Sequence, residues 1–69
     1  MNTIKPFVSI VDSAMYEAYF DEVGEYGWND TEQVIFLDLD FLPKNHPVQL
    51  FLQRWGLNTD VVRCFAIRQ

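Results

Sequence analysis

The sequence has few of the residues that build covalent cross-links or metal sites. Its 69 residues include one cysteine, Cys64, and one histidine, His46. A single thiol cannot close an internal disulfide, and one Cys with one His falls short of the ligand set of a structural zinc site. A domain of this size buries only about 60% of the surface that its unfolded chain exposes. We therefore expect part of its stability to come from association with a second copy or with another protein.

Long apolar runs are also missing. No segment reaches the roughly 18–20 apolar residues of a membrane helix, and residues 1–11 lack the apolar stretch after a basic start that marks a signal peptide. The chain shows no repeat, low-complexity tract or linker, and it has no glycine-rich phosphate loop. We accordingly predict a single compact domain over residues 1–69, located in the cytoplasm and making no contact with a membrane.

Positive charge is absent from one long stretch of the chain. Residues 12–40, which we call the acidic segment, contain nine of the ten Asp and Glu residues and none of the five Lys and Arg residues. Direct binding to nucleic acid requires a basic surface, so this composition argues against it. A charge distribution of this kind instead favours contact with a basic protein surface, or a head-to-tail contact between two copies.

The longest apolar stretch, residues 34–42, predicts a central β-strand. Alternate residues from Ile35 to Phe41 are all apolar and predict a buried face, whereas the opposite face ends in Asp38 and Asp40. An unpaired carboxylate is costly to bury, so these two acids are expected to reach water or a cation.

Residues 14–23 have the spacing of an amphipathic helix. Asp12 and Ser13 precede it with the side-chain oxygens that favour a helix N-cap, and Gly24 follows where a terminating glycine is common. Its outward face carries acids only, among them Glu17 and Asp21.

A second helix is predicted from Pro47 to Gly56. Asn45 or His46 is the expected N-cap, and proline is favoured in the first turn because its missing N–H is not needed there. Its apolar residues recur at helical spacing, and its polar residues Gln49, Gln53 and Arg54 are expected to face away from the core. The apolar stripe consists of Val48, Phe51, Leu52 and Trp55.

Two further segments predict strands, namely residues 4–11, with Pro6 marking the start or an edge position, and residues 61–67. The resulting order is β-α-β-α-β. We predict a small α/β domain, with α+β as the open alternative, in which two helices pack on one face of a three-stranded sheet. The other face would keep Phe36 and part of the last strand exposed. We expect the loop at residues 26–28 or a second copy of the chain to cover it, which predicts a homodimer.

Residues 25–32 form a loop by composition, yet Tyr26 and Trp28 lie within it. Two interpretations stay open. Trp28 could fold back onto the core, because a small domain needs buried area, or the two rings could be exposed anchors for a partner, since Trp and Tyr dominate interface energies.

Residues 34–40 resemble the opening motif of the haloacid dehalogenase phosphatases, in which an apolar strand ends in Asp-x-Asp. The resemblance covers about nine residues and implies a nucleophile at Asp38 and an acid/base at Asp40. The threonine usual two places after the second acid is replaced by Leu42, and the rest of the chain is too short to supply that family's later lysine and magnesium-binding acids. Catalysis needs several groups that converge on one point. We therefore predict a protein that is not an enzyme, and keep a metal-dependent hydrolase using Asp38 and Asp40 as a less favoured alternative.

The remaining candidate chemistry is sparse. Asp38, Asp40 and His46 are metal-binding residue types, but their spacing matches no ligand motif, and His46 is interpreted as a cap or loop residue. Cys64 lies among apolar residues, where a buried thiol is unreactive. We predict no catalytic, cofactor or metal site.

Surface recognition is the function that the sequence favours. We predict a small acidic module that modulates or inhibits a larger partner with a basic surface, as phage or mobile-element inhibitor proteins do, with imitation of nucleic-acid charge as one way to act. The alternative is a self-assembling homodimer in which the acidic segment of one copy meets Arg54, Arg63 and Arg68 of another. The predicted partner-binding residues are Glu17, Asp21, Glu22, Glu25, Tyr26, Trp28, Asp30 and Glu32.

Overall fold

The computed structural model describes residues 7–69, where the chain forms four strands and two α-helices. In chain order the elements are β1 (Phe7–Val11), α1 (Ser13–Glu22), β2 (Trp28–Asn29), β3 (Val34–Asp38), a 3-10 helix (Leu39–Phe41), α2 (Pro47–Arg54) and β4 (Cys64–Arg68). The predicted beginning of the first strand, residues 4–6, lies outside the described residues. The described part is a small α+β domain.

The sheet is mixed and has the strand order β1-β4-β3-β2. β1 runs parallel to β4, whereas β4 with β3 and β3 with β2 are antiparallel. The prediction of three strands is therefore wrong, because the acidic loop contributes the additional short strand β2. A strand of two residues has no alternation that a sequence pattern could detect.

Turn chemistry explains why β2 pairs with β3. The Asn29 side-chain oxygen accepts a hydrogen bond from the N–H of Glu32 at 3.0 Å, and the Gln33 amide donates to the Asp30 carbonyl at 2.7 Å. Gln33 itself has a φ of 56°, in the left-handed region. Polar side chains that bond to nearby backbone in this way stabilise tight turns.

Both helices contribute to a single core. Tyr19 of α1 and Phe51 of α2 are fully buried, and their rings meet edge to face with centroids 5.3 Å apart. The same cluster contains Ile35 of β3 and Ile67 of β4, which are paired across the sheet. The two helices therefore lie on the same face of the sheet.

β3 is shorter than predicted. It ends at Asp38, whose side-chain oxygen accepts a hydrogen bond from the N–H of Asp40 at 3.1 Å and so caps the 3-10 helix. The chain leaves the sheet there, and the expectation that Phe41 shares the buried face is wrong, since its side chain is 82% exposed. Local capping by an Asp side chain overrides the β-propensity of the apolar residues that follow.

α2 begins as predicted at Pro47, with His46 as its N-cap, because the His46 Nδ1 atom accepts a hydrogen bond from the N–H of Val48 at 3.2 Å. Gln49 is buried, so the expectation that it faces away from the core is wrong. Its amide donates to the carbonyls of Leu42 and Pro43 at 3.2 and 3.3 Å. It thereby satisfies backbone oxygens of the segment that leads from β3 to α2.

β4 begins at Cys64, three residues after the predicted start. The preceding residues form a turn instead, in which the N–H groups of Val61 and Val62 both donate to the carbonyl of Asn58. A short β-branched run does not form a strand when no neighbouring strand offers it a partner.

Candidate functional site

The outward side of α1 carries Glu17 and Asp21, one helical turn apart and both exposed. The two flanks of the helix are occupied by other parts of the chain. On one flank the rings of Tyr16 and Phe20 pack against Trp28, and on the other Glu22 forms an ion pair with Arg54 of α2. The aromatic contact on one flank and the burial of Met15 and Tyr19 set the orientation of the helix, so Glu17 and Asp21 face solvent.

The strand directions place further acids near the two ends of α1. β2 and β1 run the same way, since β1 is parallel to β4 and two antiparallel pairings connect β4 to β2. They end at the same edge of the sheet, where α1 begins and where the turn with Asp30 and Glu32 lies. Glu25 follows α1 at its other end, and all three of these acids are exposed.

Five of the six predicted acids have no ion-pair partner among residues 7–69. We call these five the acidic surface. Glu22 differs, because it is engaged by Arg54. The acidic surface consists of Glu17, Asp21, Glu25, Asp30 and Glu32.

The two predicted aromatic anchors differ in their surroundings. Trp28 is half-buried, with ring centroids 6.1 Å from Tyr16 and 5.4 Å from Phe20, so it packs onto the helix side of the sheet. Tyr26 is 49% exposed, and its ring lies 5.3 Å from His46. Of the two rings, Tyr26 offers the larger accessible area to a partner.

A buried hydroxyl supports the loop that carries Tyr26. The Tyr19 hydroxyl donates a hydrogen bond to the Tyr26 carbonyl at 2.5 Å. Burial, together with the neighbouring Tyr26, raises the pKa of Tyr19 well above its ordinary value near 10. The hydroxyl therefore stays protonated and keeps donating throughout the physiological pH range.

Asp38 and Asp40, the acids of the Asp-x-Asp string, both take part in holding the fold. Asp38 caps the 3-10 helix, and an oxygen of Asp40 accepts from the guanidinium of Arg63 at 3.1 Å. Arg63 also donates to the carbonyls of Leu39 and Thr59, at 3.0 and 2.7 Å. The sequence does not reveal this role of Arg63, because the β-branched run around it predicts a strand in place of the turn before β4.

Within residues 7–69 no cluster of three His, Cys, Asp or Glu side chains could hold a metal ion, and no pocket opens. The His46 Nδ1 atom is engaged by the Val48 N–H. No helix among the same residues is long and apolar enough to cross a membrane.

The sheet face opposite the helices exposes apolar side chains of β1 and β3, whereas Val34, Cys64 and Ala66 on the same face are buried. We call it the outer face. Phe7 of β1 and Phe36 of β3 lie on it, 52% and 48% exposed, with their rings stacked at a centroid distance of 6.0 Å, and Val11 is 71% exposed. The expectation that residues 26–28 cover this face is wrong for Trp28, whose ring packs on the helix side.

No protein-family model, curated protein or solved structure matches this chain. The function is therefore inferred from the chemistry of the exposed residues themselves.

Proposed function

We propose that the protein is a non-enzymatic binding module of the cytoplasm that modulates or inhibits a larger protein with a basic surface. The observation that carries this proposal is the set of five exposed carboxylates without ion-pair partners within residues 7–69, arranged along α1 and around its two ends.

Exposed carboxylates without internal partners act on a binding partner in two ways. They steer a basic surface toward the protein and raise the association rate, and they occupy Lys and Arg side chains that would otherwise bind phosphates. A partner that binds nucleic acid would lose access to it by competition. That mode of action is the imitation of nucleic-acid charge, as used by phage and mobile-element inhibitors.

Tyr26 supports this proposal as a contact at the rim of the acidic surface. It follows Glu25 in the chain and is half exposed, and its backbone carbonyl accepts the hydrogen bond from Tyr19. A partly exposed Tyr supplies apolar contact area and a hydroxyl that can form a hydrogen bond with a partner.

The test is affinity capture from a lysate of the source organism with Asp21→Lys and Asp60→Lys as a matched pair. Both replace an exposed carboxylate by a lysine, but only Asp21 belongs to the acidic surface. A lysine near the C-terminal end of α1 is compatible with the helix dipole, so the fold should persist. We expect the wild type and Asp60→Lys to retain the same protein, which elutes as salt rises, and Asp21→Lys to lose it.

Retention of the same protein by the wild type and both variants would contradict the proposal, as would capture that is insensitive to salt. Circular dichroism of each variant separates loss of binding from loss of fold.

The alternative function is a self-assembling subunit. The exposed apolar side chains of the outer face favour it more than the charge contact between copies that the sequence suggests. Arg54 and Arg63 are engaged within the chain by Glu22 and Asp40, so two of the three cations expected to meet the acidic segment of another copy already have partners. The outer face offers a second route to assembly.

A further inference from the structure

The two edges of the sheet differ in length and in charge. β2 forms one edge with two residues, and the turn that follows it carries the exposed acids Asp30 and Glu32. β1 forms the other edge with five residues, Phe7–Val11, none of which is charged or a proline. Proteins protect the edges of their sheets with short strands, charged side chains or proline. The β2 edge is protected by its length and by the acids beside it, whereas the β1 edge has no such protection.

The backbone of β1 alternates between groups that bond to β4 and groups that point away from the sheet. The N–H of Asp12 donates to the Arg68 carbonyl at 3.1 Å, so every second residue back along the strand also bonds to β4. The N–H and C=O groups of Phe7, Ser9 and Val11 therefore point to the open edge. No other segment of residues 7–69 forms hydrogen bonds with them. Donors and acceptors at this regular spacing are satisfied by another extended backbone.

We propose that the β1 edge pairs with β1 of a second copy of this chain, antiparallel, about a two-fold axis that is perpendicular to the sheet and passes beside Ser9. The residues that point outward are centred on Ser9, which makes this register complementary to itself. Ser9 lies opposite Ser9 of the other copy, and Phe7 lies opposite Val11. Each of these pairs exchanges two backbone hydrogen bonds, and the two sheets become continuous.

The side chains of β1 fit this register on both faces of the sheet. On the outer face, Phe7 and Val11 are 52% and 71% exposed, and the ring of one copy would lie beside the valine of the other. On the helix side, Val8 and Ile10 pack against the core but stay partly accessible, and the register sets Val8 of one copy beside Ile10 of the other. Aromatic and β-branched neighbours across antiparallel strands stabilise the pairing.

Charge favours a second copy at this edge over the basic partner proposed above. Each copy has a formal net charge of −5, so two copies repel least when they meet through a segment without acids. β1 is such a segment, and the turn with Asp30 and Glu32 lies at the far edge of the sheet. A basic surface is attracted by carboxylates, which the β1 residues lack. Because β1 is uncharged, pairing with itself brings no like charges opposite one another.

One pair of strands is a small contact, so we expect a weak, reversible dimer. Five residues at about 3.3 Å each give a contact roughly 16 Å long. Such a contact buries less than the roughly 1,200 Å² at which stable interfaces begin, and we expect a dissociation constant of about 10 µM or weaker. Sedimentation velocity of the intact chain, over a concentration series up to about 1 mM, brackets this value. A monomer throughout the series overturns the proposal.

Hydrogen exchange of single amides, followed by NMR, locates the contact. The N–H groups of Ser9 and Val11 face the open edge, whereas those of Val8 and Ile10 bond to β4. As the protein concentration rises, exchange at Ser9 and Val11 should slow at least several-fold, and exchange at Val8 and Ile10 should slow less. Unchanged exchange at Ser9 and Val11 in a sample that sediments as a dimer would place the interface elsewhere and contradict the proposal.

Ser9→Pro and Ser9→Ala form a matched pair at the centre of the interface. Proline removes the N–H that would donate to the other copy, but it removes no bond to β4, and an edge strand tolerates proline where the N–H faces solvent. Alanine keeps the N–H. We expect Ser9→Pro to weaken the dimer at least roughly tenfold and Ser9→Ala to leave it unchanged. Equal dimerisation of the two variants, each shown by circular dichroism to be folded, would contradict the proposal.

The register is tested by opposite charges at the exposed Ser9. Ser9→Lys and Ser9→Glu should each dimerise more weakly than the wild type, because like charges would lie opposite each other across the axis. An equimolar mixture of the two variants should dimerise again. Failure of the mixture to associate would overturn the register. This test does not depend on the folding of Ser9→Pro.

The dimer does not depend on the proposed function, because β1 contributes no residue to the acidic surface. Capture of the basic partner should therefore be the same for the wild type, Ser9→Ala and Ser9→Pro. If the wild type stays monomeric and Ser9→Pro loses that capture, the β1 edge binds a strand of the partner, and the proposal of a second copy is overturned.

Discussion

At the scale of single residues, Tyr19 connects the core to the candidate binding loop. Its ring is fully buried against Phe51, while its hydroxyl holds the carbonyl of Tyr26. Both functions require the neutral form of the phenol, since an ionised oxygen could neither be buried cheaply nor donate a proton.

Tyr19 therefore predicts a loss of stability at alkaline pH. Its pKa is raised in the folded state, so the unfolded chain ionises first, near pH 10, and above that value the free energy of unfolding falls as pH rises. For one group the slope approaches about 1.4 kcal/mol per pH unit. Urea unfolding between about pH 9 and pH 11 measures it.

The matched variant for this prediction is Tyr19→Phe. It removes the hydrogen bond to Tyr26, which costs about 1 kcal/mol at neutral pH, but it has no phenol to ionise. Its stability should fall less steeply above pH 10 than that of the wild type. Parallel curves for the two proteins would show that Tyr19 does not control the alkaline transition.

Other residues with structural roles could not be identified from their types alone. Gln49 and Arg63 are polar residues that a helical or strand pattern assigns to solvent, yet each bonds to carbonyls from a different segment of the chain. A one-dimensional pattern contains no information about which distant backbone oxygens need a donor.

At the scale of elements, the pairing of β2 with β3 depends on a close backbone approach at Gly27. This residue has a φ of 81°, and its carbonyl accepts a hydrogen bond from the N–H of Phe36 at 2.8 Å. A Cβ atom at this position would lie 2.5 Å from the Phe36 carbonyl oxygen and 2.9 Å from a methyl group of Leu37. No larger residue fits unless the hairpin shifts.

We predict that Gly27→Ala destabilises the protein more than Gly56→Ala. Gly56 has the same φ of 81°, but a Cβ atom added there would meet nothing within 4 Å, so its substitution costs only the backbone strain of about 1–2 kcal/mol. Gly27→Ala adds a steric cost of about 1–3 kcal/mol. Urea midpoints compare the two variants, and similar destabilisation by both would argue against the close approach. Trp28 fluorescence should report the displaced β2 strand in Gly27→Ala.

The elements that the sequence predicts well are those with a strong periodic pattern or a recognisable cap. α1 follows the Asp12 N-cap, whose side chain accepts from the N–H of Met15 at 3.0 Å, and α2 follows His46 and Pro47. β2, the early end of β3 at Asp38 and the late start of β4 depend on contacts between distant segments, which no local pattern specifies.

The residues of the candidate site also differ in how well the sequence predicts their surroundings. Exposure of Glu17 and Asp21 follows from the outward face of α1. The engagement of Glu22 by Arg54 joins residues 32 positions apart and could not be inferred from spacing.

At the scale of the whole molecule, the carboxylates of the acidic surface repel one another. We predict that thermal stability rises as NaCl is increased from about 10 mM to about 150 mM, because the Debye length falls from about 30 Å to about 8 Å and the repulsion is screened. Glu17→Gln with Asp21→Asn should show a smaller rise. A decrease in melting temperature over the same salt range would mean that the ion pairs Glu22–Arg54 and Asp40–Arg63 outweigh the repulsion.

The position of β4 has a consequence for biosynthesis. It lies between β1 and β3 in the sheet but follows both in the chain, so the ribosome produces it after every other described strand. Until residues 64–68 emerge, β1 has no neighbour to pair with among the described strands, and β3 has only the two-residue β2. The apolar strands of the nascent chain therefore stay unpaired until β4 emerges. During that interval the outer face and the core residues are equally accessible to a chaperone.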